Sequence, residues 1–238
     1  MALTDNLVAY YKLDESSGNA TDAVGGTSLT ASASAPTAAT GKISGARQFT
    51  STSTQRFSLA DNATHSTGDI DFSFSAWVYM DARNNNRGFL GKWTSGQEEY
   101  ALVYLSNRLG FYVHDASSGQ HGVNADDIGD PSASTWYHIV CGHDALANIA
   151  FIQVNGGTRY TVAHTTGVRN GTSPFNIGDY NNDAGTVLSG RVDEVGMWKR
   201  VLSSAEAITL YNSGAGLAYP FTTSTPLFLH AAQRAAFA

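Results

Sequence analysis

Along residues 72–79, Phe72, Phe74, Ala76 and Val78 fall on one face, and Ser73, Ser75, Trp77 and Tyr79 on the other. This period of two predicts a β-strand. Shorter runs rich in β-branched and aromatic residues predict strands at 7–13, 46–49, 88–93, 100–104, 109–114, 136–142, 149–154, 158–163 and 175–178, with Asn155-Gly156 as a hairpin turn between two of them. Residues 25–39, mostly Ser, Thr and Ala around Pro36, read as a surface loop or a weak edge strand. Residues 190–198 form a late strand carrying an acidic pair, Asp193-Glu194. The chain then enters a helix at Ser203-Ser204-Ala205-Glu206, where the spacing of a capping box precedes Ala207, Ile208, Leu210 and Tyr211; Asn212-Ser213-Gly214 stops it. Many short strands with one helix predict an all-β sandwich.

Composition agrees with that pattern. The 238 residues suit one large β domain over 1–221, followed by a short apolar tail over 222–238, and the stretch Leu227–Ala238 is expected to dock against a partner or mediate assembly. A formal charge of -6 offers no basic stripe for a nucleic-acid backbone or an anionic membrane surface, so neither is expected as a partner. No apolar run reaches the roughly 20 residues of a membrane span. Met1–Asn6 has neither the basic nor the apolar region of a signal peptide, so synthesis in the cytoplasm is expected. Cys141 is the single cysteine, lies in a strand pattern and reads as a small buried hydrophobe.

Asp193 stands among the strand formers Val192, Val195, Met197 and Trp198, where a carboxylate needs a partner. A metal ion, solvent or Arg191 each answers that need. A second acidic cluster, Asp179-Tyr180-Asn181-Asn182-Asp183, alternates carboxylate and amide oxygens, but it lacks the glycine and the closing Glu positions of an EF-hand loop. It reads as a polar connection or as a rim loop that contacts a sugar or an ion. Asn84-Asn85-Asn86 reads as turn chemistry, or as amides that hydrogen-bond hydroxyls beside Tyr79 and Trp93.

Taken in order, Val8–Glu15, Gly41-Lys42-Ile43-Ser44-Gly45-Ala46, Phe74-Ser75-Ala76-Trp77-Val78, Trp136-Tyr137-His138-Ile139-Val140, Val154-Asn155-Gly156 and Gly190–Val195 followed by Val201–Glu206 resemble the laminin-G-like, concanavalin A-like jelly-roll family over nearly the whole chain. The resemblance implies two stacked antiparallel sheets with binding loops at the rim. It also implies a structural calcium between the first and last strands, using Asp193 and main-chain carbonyls near Ser44-Gly45, with Asp14 as a further carboxylate. Proteins similar to this one occur on phage heads and tails. A binding or display module on a larger assembly such as a virion, recognising a glycan or a protein, is therefore expected, with a free-standing lectin-like protein as the alternative.

The same family includes glycoside hydrolases, which place Glu-x-Asp-x-x-Glu or a close variant on one strand so that two carboxyls flank the scissile bond. The five glutamates, Glu15, Glu98, Glu99, Glu194 and Glu206, are followed two places on by Ser17, Tyr100, Ala101, Gly196 and Ile208, so that motif is missing and no catalytic residue is assigned. The seven histidines include no pair at helical ligand spacing, which gives zinc chemistry little support, and His138 reads as a packed strand residue whose ring finds backbone partners.

Overall fold

A computed structural model describes residues 1–117 and 119–222. The segment Leu227–Ala238, expected to dock, lies outside the described residues. Two antiparallel sheets face one another. The eight-stranded sheet runs in the order β13 (Arg159–Ala163), β12 (Ile149–Val154), β11 (Trp136–Asp144), β6 (Phe72–Met80), β15 (Gly190–Trp198), β4 (Gly45–Phe49) and β3 (Thr37–Thr40), and β1 (Leu7–Tyr11) also pairs with β15. The seven-stranded sheet runs β10 (Gln120–Asn124), β9 (Arg108–His114), β8 (Tyr100–Leu105), β7 (Arg87–Lys92), β14 (Phe175–Ile177), β5 (Phe57–Leu59) and β2 (Thr30–Ala31).

The alternation in β6 sets the inner core: Phe72, Phe74, Ala76, Val78 and Met80 join Phe89, Leu102, Phe111, Ile139, Ile152 and Ile177 between the sheets. The opposite face of β6 is also buried, because the eight-stranded sheet is covered on its outside. There Leu7, Tyr10, Val140, Phe151 and Trp198 pack against Leu202, Ala207 and Leu210, the last two from α1 (Ser204–Tyr211), while Tyr219 and Phe221 complete the layer. Ser73 ties this layer down: its hydroxyl donates to the Arg200 carbonyl and accepts from the Leu202 amide, both at 2.9 Å. The capping box forms as its spacing predicts, with Ser203 accepting from the Glu206 amide and Glu206 accepting from the Ser203 amide.

Residues 25–39 take the edge-strand alternative: they hold β2 and the start of β3, short strands at the outer edge of each sheet, where weak propensity is tolerated. One strand differs from the sequence reading for a physical cause. In β10 only Val123 is apolar and buried, so its hydrophobic pattern is too thin to announce a strand, yet it pairs with β9 in register from Gln120↔His114 to Asn124↔Gly110.

Candidate functional site

The acidic pair lies at a break in register between β15 and β6, after Asp193↔Trp77 and before Gly196↔Ser75. Glu194 adopts a left-handed backbone with φ 52°, and the extra residue turns two neighbouring carboxylates to different partners. Asp193 reaches the turn between β3 and β4, where its Oδ2 accepts the amides of Lys42 at 2.8 Å and Ile43 at 2.9 Å. Glu194 accepts the Tyr10 hydroxyl of β1. Both are buried, and neither pairs with Arg191, which binds Gln48 and the Thr40 carbonyl instead.

Burial pushes Asp193 up to about 8, against the amides of Ile43 and Lys42 and with help from the Glu194 and Asp14 charges. Burial likewise pushes Glu194 up to about 7. The second Asp193 oxygen, Oδ1, is buried without a hydrogen-bond partner. Asp14 is part of the same corner, its Oδ1 accepting the Gly45 amide at 2.7 Å. Gly41 packs against this corner so closely that a Cβ there would stand 1.8 Å from the Gly45 carbonyl oxygen and 2.7 Å from Asp193 Oδ2. The three residues expected around an ion are thus drawn together, and an orphaned buried oxygen amid surplus negative charge fits a hard cation.

The loop after β14 distributes its side chains in three directions. Asp179 turns inward, fully buried, paired with Arg56 at 3.2 Å and accepting from the Tyr180 and Asn181 amides and the Thr186 hydroxyl. Asn181 accepts the Asp183 amide and Asp183 accepts the Gly185 amide, so both hold the turn. Asn182 opens onto a polar groove of about 430 Å³ with Thr30–Ser34, Thr54, Arg56 and Ser58. Tyr180 goes the other way, onto the outer face of the seven-stranded sheet, where its hydroxyl donates to Asn86 Oδ1 at 2.8 Å. That bond joins the two clusters singled out in the sequence. Asn85 is used locally, accepting the Ser106 amide at 2.6 Å.

On that outer face Tyr180, Trp93 and Tyr112 stand above Ala101, Val103 and Leu105 of β8, with Gln120 at the border, around a shallow slot of about 50 Å³. The alternate β8 residues Tyr100, Leu102 and Tyr104 belong to the inner core, so period two dictates which side chains floor the slot. Glycines let the rings lie close to the sheet. A Cβ on Gly88 would meet the Tyr180 ring at 2.6 Å, and one on Gly122 would meet the Tyr112 ring at 2.2 Å. Trp93 contacts Tyr180 edge-on, with centroids 6.5 Å apart. Tyr112 escapes sequence reasoning because it sits in an ordinary strand pattern; the glycine that accommodates it, Gly122, lies on the neighbouring strand.

His138 corrects an expectation: its Nε2 pairs with the Ser75 hydroxyl at 2.9 Å rather than with backbone, and Nδ1 has no partner. Each glutamate is held by structural contacts: Glu15 by the Thr21 amide, Glu98 by Arg169, Glu99 by Lys92, Glu194 by Tyr10 and Glu206 by Arg200 and the helix cap.

A sequence model of the concanavalin A-like lectin/glucanases superfamily matches residues 50–207. The chain belongs to that superfamily. Comparison with curated proteins gives no match. Among solved structures, the binding domain of Paraclostridial Mosquitocidal Protein 1 superposes with a TM-score of 0.72 at 17% identity, over 88% of this chain and 52% of that one. Domain 4 of AbnA, a GH43 extracellular arabinanase from Geobacillus stearothermophilus, solved in complex with arabinotriose, gives 0.65 at 15% identity, over 85% of this chain and 97% of that domain. Trypanosoma rangeli sialidase in complex with sialic acid gives 0.62 at 18% identity, over 89% of this chain and 34% of the enzyme. The chain therefore spans about half of the first of these relatives and a third of the last, and at these identities the likeness is one of fold. No helix among the described residues is long and apolar enough to cross a membrane.

Proposed function

We propose that the chain is a non-catalytic glycan-binding module whose binding face is the outer surface of β7–β10. The observation that carries this reading is the slot of Trp93, Tyr112 and Tyr180, apolar rings held against a sheet with amides at the border. Partly exposed aromatic rings give a saccharide's C–H faces an apolar partner, while Asn86 and Gln120 offer hydrogen bonds to its hydroxyls. Commitment of all five glutamates to structural contacts supports binding rather than hydrolysis. The fold shared with an arabinotriose-bound domain supports a saccharide ligand, and the toxin binding domain extends the comparison to recognition more broadly.

The corner of Asp193, Asp14 and Gly45 supports a structural calcium ion. Asp193 Oδ1 would ligate it, with oxygens of Asp14 and Gly45 completing the protein's share. When bound, the ion would neutralise the buried carboxylates and fasten the β3–β4 turn to β15.

A glycan array with the wild-type chain tests the function, followed by Trp93→Ala and Tyr112→Ala on any glycan found. Binding that falls at least about tenfold in both variants, with circular dichroism unchanged, is the expected result. A blank array, or binding indifferent to both substitutions, overturns the reading.

A further inference from the structure

A second cluster lies at the opposite edge of the sandwich. The strands β10 and β13 each end their sheet, and the side chains around them converge: Asp115 from the turn after β9, His121 from β10 and His164 from the residue after β13. Their ligand atoms all lie within 4.8 Å of one another.

The chemistry of the group is unusual for a sandwich interior. His164 is 0% exposed, and neither of its ring nitrogens has a hydrogen-bond partner. A buried imidazole with both nitrogens idle forgoes the bonds water would have given it. The His121 and His164 rings meet edge-on with centroids 4.6 Å apart. Between His121 Nε2 and Asp115 Oδ2 the distance is 3.4 Å. Two ligands each about 2.0–2.1 Å from a tetrahedral zinc stand about 3.3 Å apart, so that pair already has the spacing of a coordination edge.

Asp115 is braced for such a role. Its Oδ1 accepts the Ser117 and Gly119 amides at 2.7 and 2.8 Å, and Oδ2 accepts the Thr166 hydroxyl at 2.8 Å. Supporting hydrogen bonds of this kind orient metal-binding carboxylates. His143 stands behind His164, centroids 5.2 Å apart, with its Nδ1 3.1 Å from the Ile70 carbonyl.

We propose that Asp115, His121 and His164 bind a single transition-metal ion of the zinc class, which clips the free edge of one sheet to the free edge of the other. Two imidazoles and a carboxylate are the donor set of zinc rather than of calcium, which takes oxygen ligands. The helical-spacing test applied to the sequence finds no such site because its ligands come from three separate elements.

The test uses the full chain, free of any purification tag and stripped with chelator. Zinc chloride is titrated by calorimetry and by thermal melting, and cobalt(II) is added as a visible probe. One zinc per chain, a rise in Tm, and a tetrahedral cobalt spectrum are expected, with no equivalent effect of calcium on the cobalt signal. Half-exposed His121→Ala should fold normally and lose both the zinc-dependent rise in Tm and the cobalt spectrum. Asp115→Asn should weaken zinc by at least about tenfold. Absence of zinc binding by the wild type overturns the proposal, and so does unchanged affinity in His121→Ala, which would place the metal elsewhere.

Discussion

The Tyr10 hydroxyl donates to the Glu194 carboxylate, joining β1 to β15 across 184 positions of sequence. Glu194 is buried, and this bond works against the burial that raises its affinity for a proton. Tyr10→Phe removes the donor and leaves a buried acceptor short of a partner. A loss of about 1–3 kcal/mol is expected by urea unfolding.

Calcium should act at the other member of the acidic pair. Addition of calcium to chelator-treated protein is expected to raise Tm, and Asp193→Asn should abolish that rise while leaving the zinc response of the far edge intact. A calcium response that survives the substitution assigns the ion to other ligands.

The aromatic slot depends on an absent side chain. Gly122→Ala places a Cβ where the Tyr112 ring now lies, so the ring must swing away from the sheet. Glycan affinity should fall by at least about tenfold with little change in Tm, since the ring lies outside the inner core. Affinity measured alongside melting separates this outcome from general destabilisation.

Lys92 is fully buried between Glu99, at 2.8 Å, and Asp61. Glu99, itself fully buried, also accepts from the Thr67 and Gly171 amides. Lys92→Met leaves that carboxylate without its cation, and a loss of about 3–5 kcal/mol is expected by denaturant unfolding. The double variant Lys92→Met, Glu99→Gln should recover part of the loss.

His65 is enclosed between Tyr11 and Phe175, its centroid 4.4 Å from the Phe175 ring. Burial is the main cause holding it down to about 4, with Lys92 and Lys199 adding to the effect and Asp22 opposing it. The unfolded chain therefore takes up this proton first, near pH 6.5. The histidine's contribution to stability is intact above that pH and is lost as pH falls toward 4. Relative to His65→Gln, the wild type should lose about 1.4 kcal/mol per pH unit across that window. Parallel melting curves for the two proteins, taken from pH 7 to about pH 4, check the slope; a constant difference contradicts it.

Legibility in the sequence followed the strength of local patterns. Phe72–Met80 could be read because its inner face is uniformly apolar, and Ser203–Glu206 because a capping box is a local device. Asp193 stood out as a carboxylate in an apolar strand. Its turn toward Lys42 and Ile43 could not be foreseen, because that depends on the bulge at Glu194. Tyr180 and Asn86 belong to separate runs of the sequence, and only the sheet brings them to one hydrogen bond. Asp115, His121 and His164 give no linear signal at all, since their proximity is a product of how the edges of two sheets meet.

The placement of β15 has a consequence for biosynthesis. Among the described residues it is the strand furthest along the sequence, yet it lies inside its sheet, bonded to β6, β4 and β1. Until residues 190–198 have been made, β6 and β4 lack the strand that joins them, and the unpaired backbone edge of β6 stays open. A chain that ends before residue 190 therefore carries an unpaired inner edge, and any fragment stopping short of Gly190 should be captured by chaperones or aggregate rather than fold.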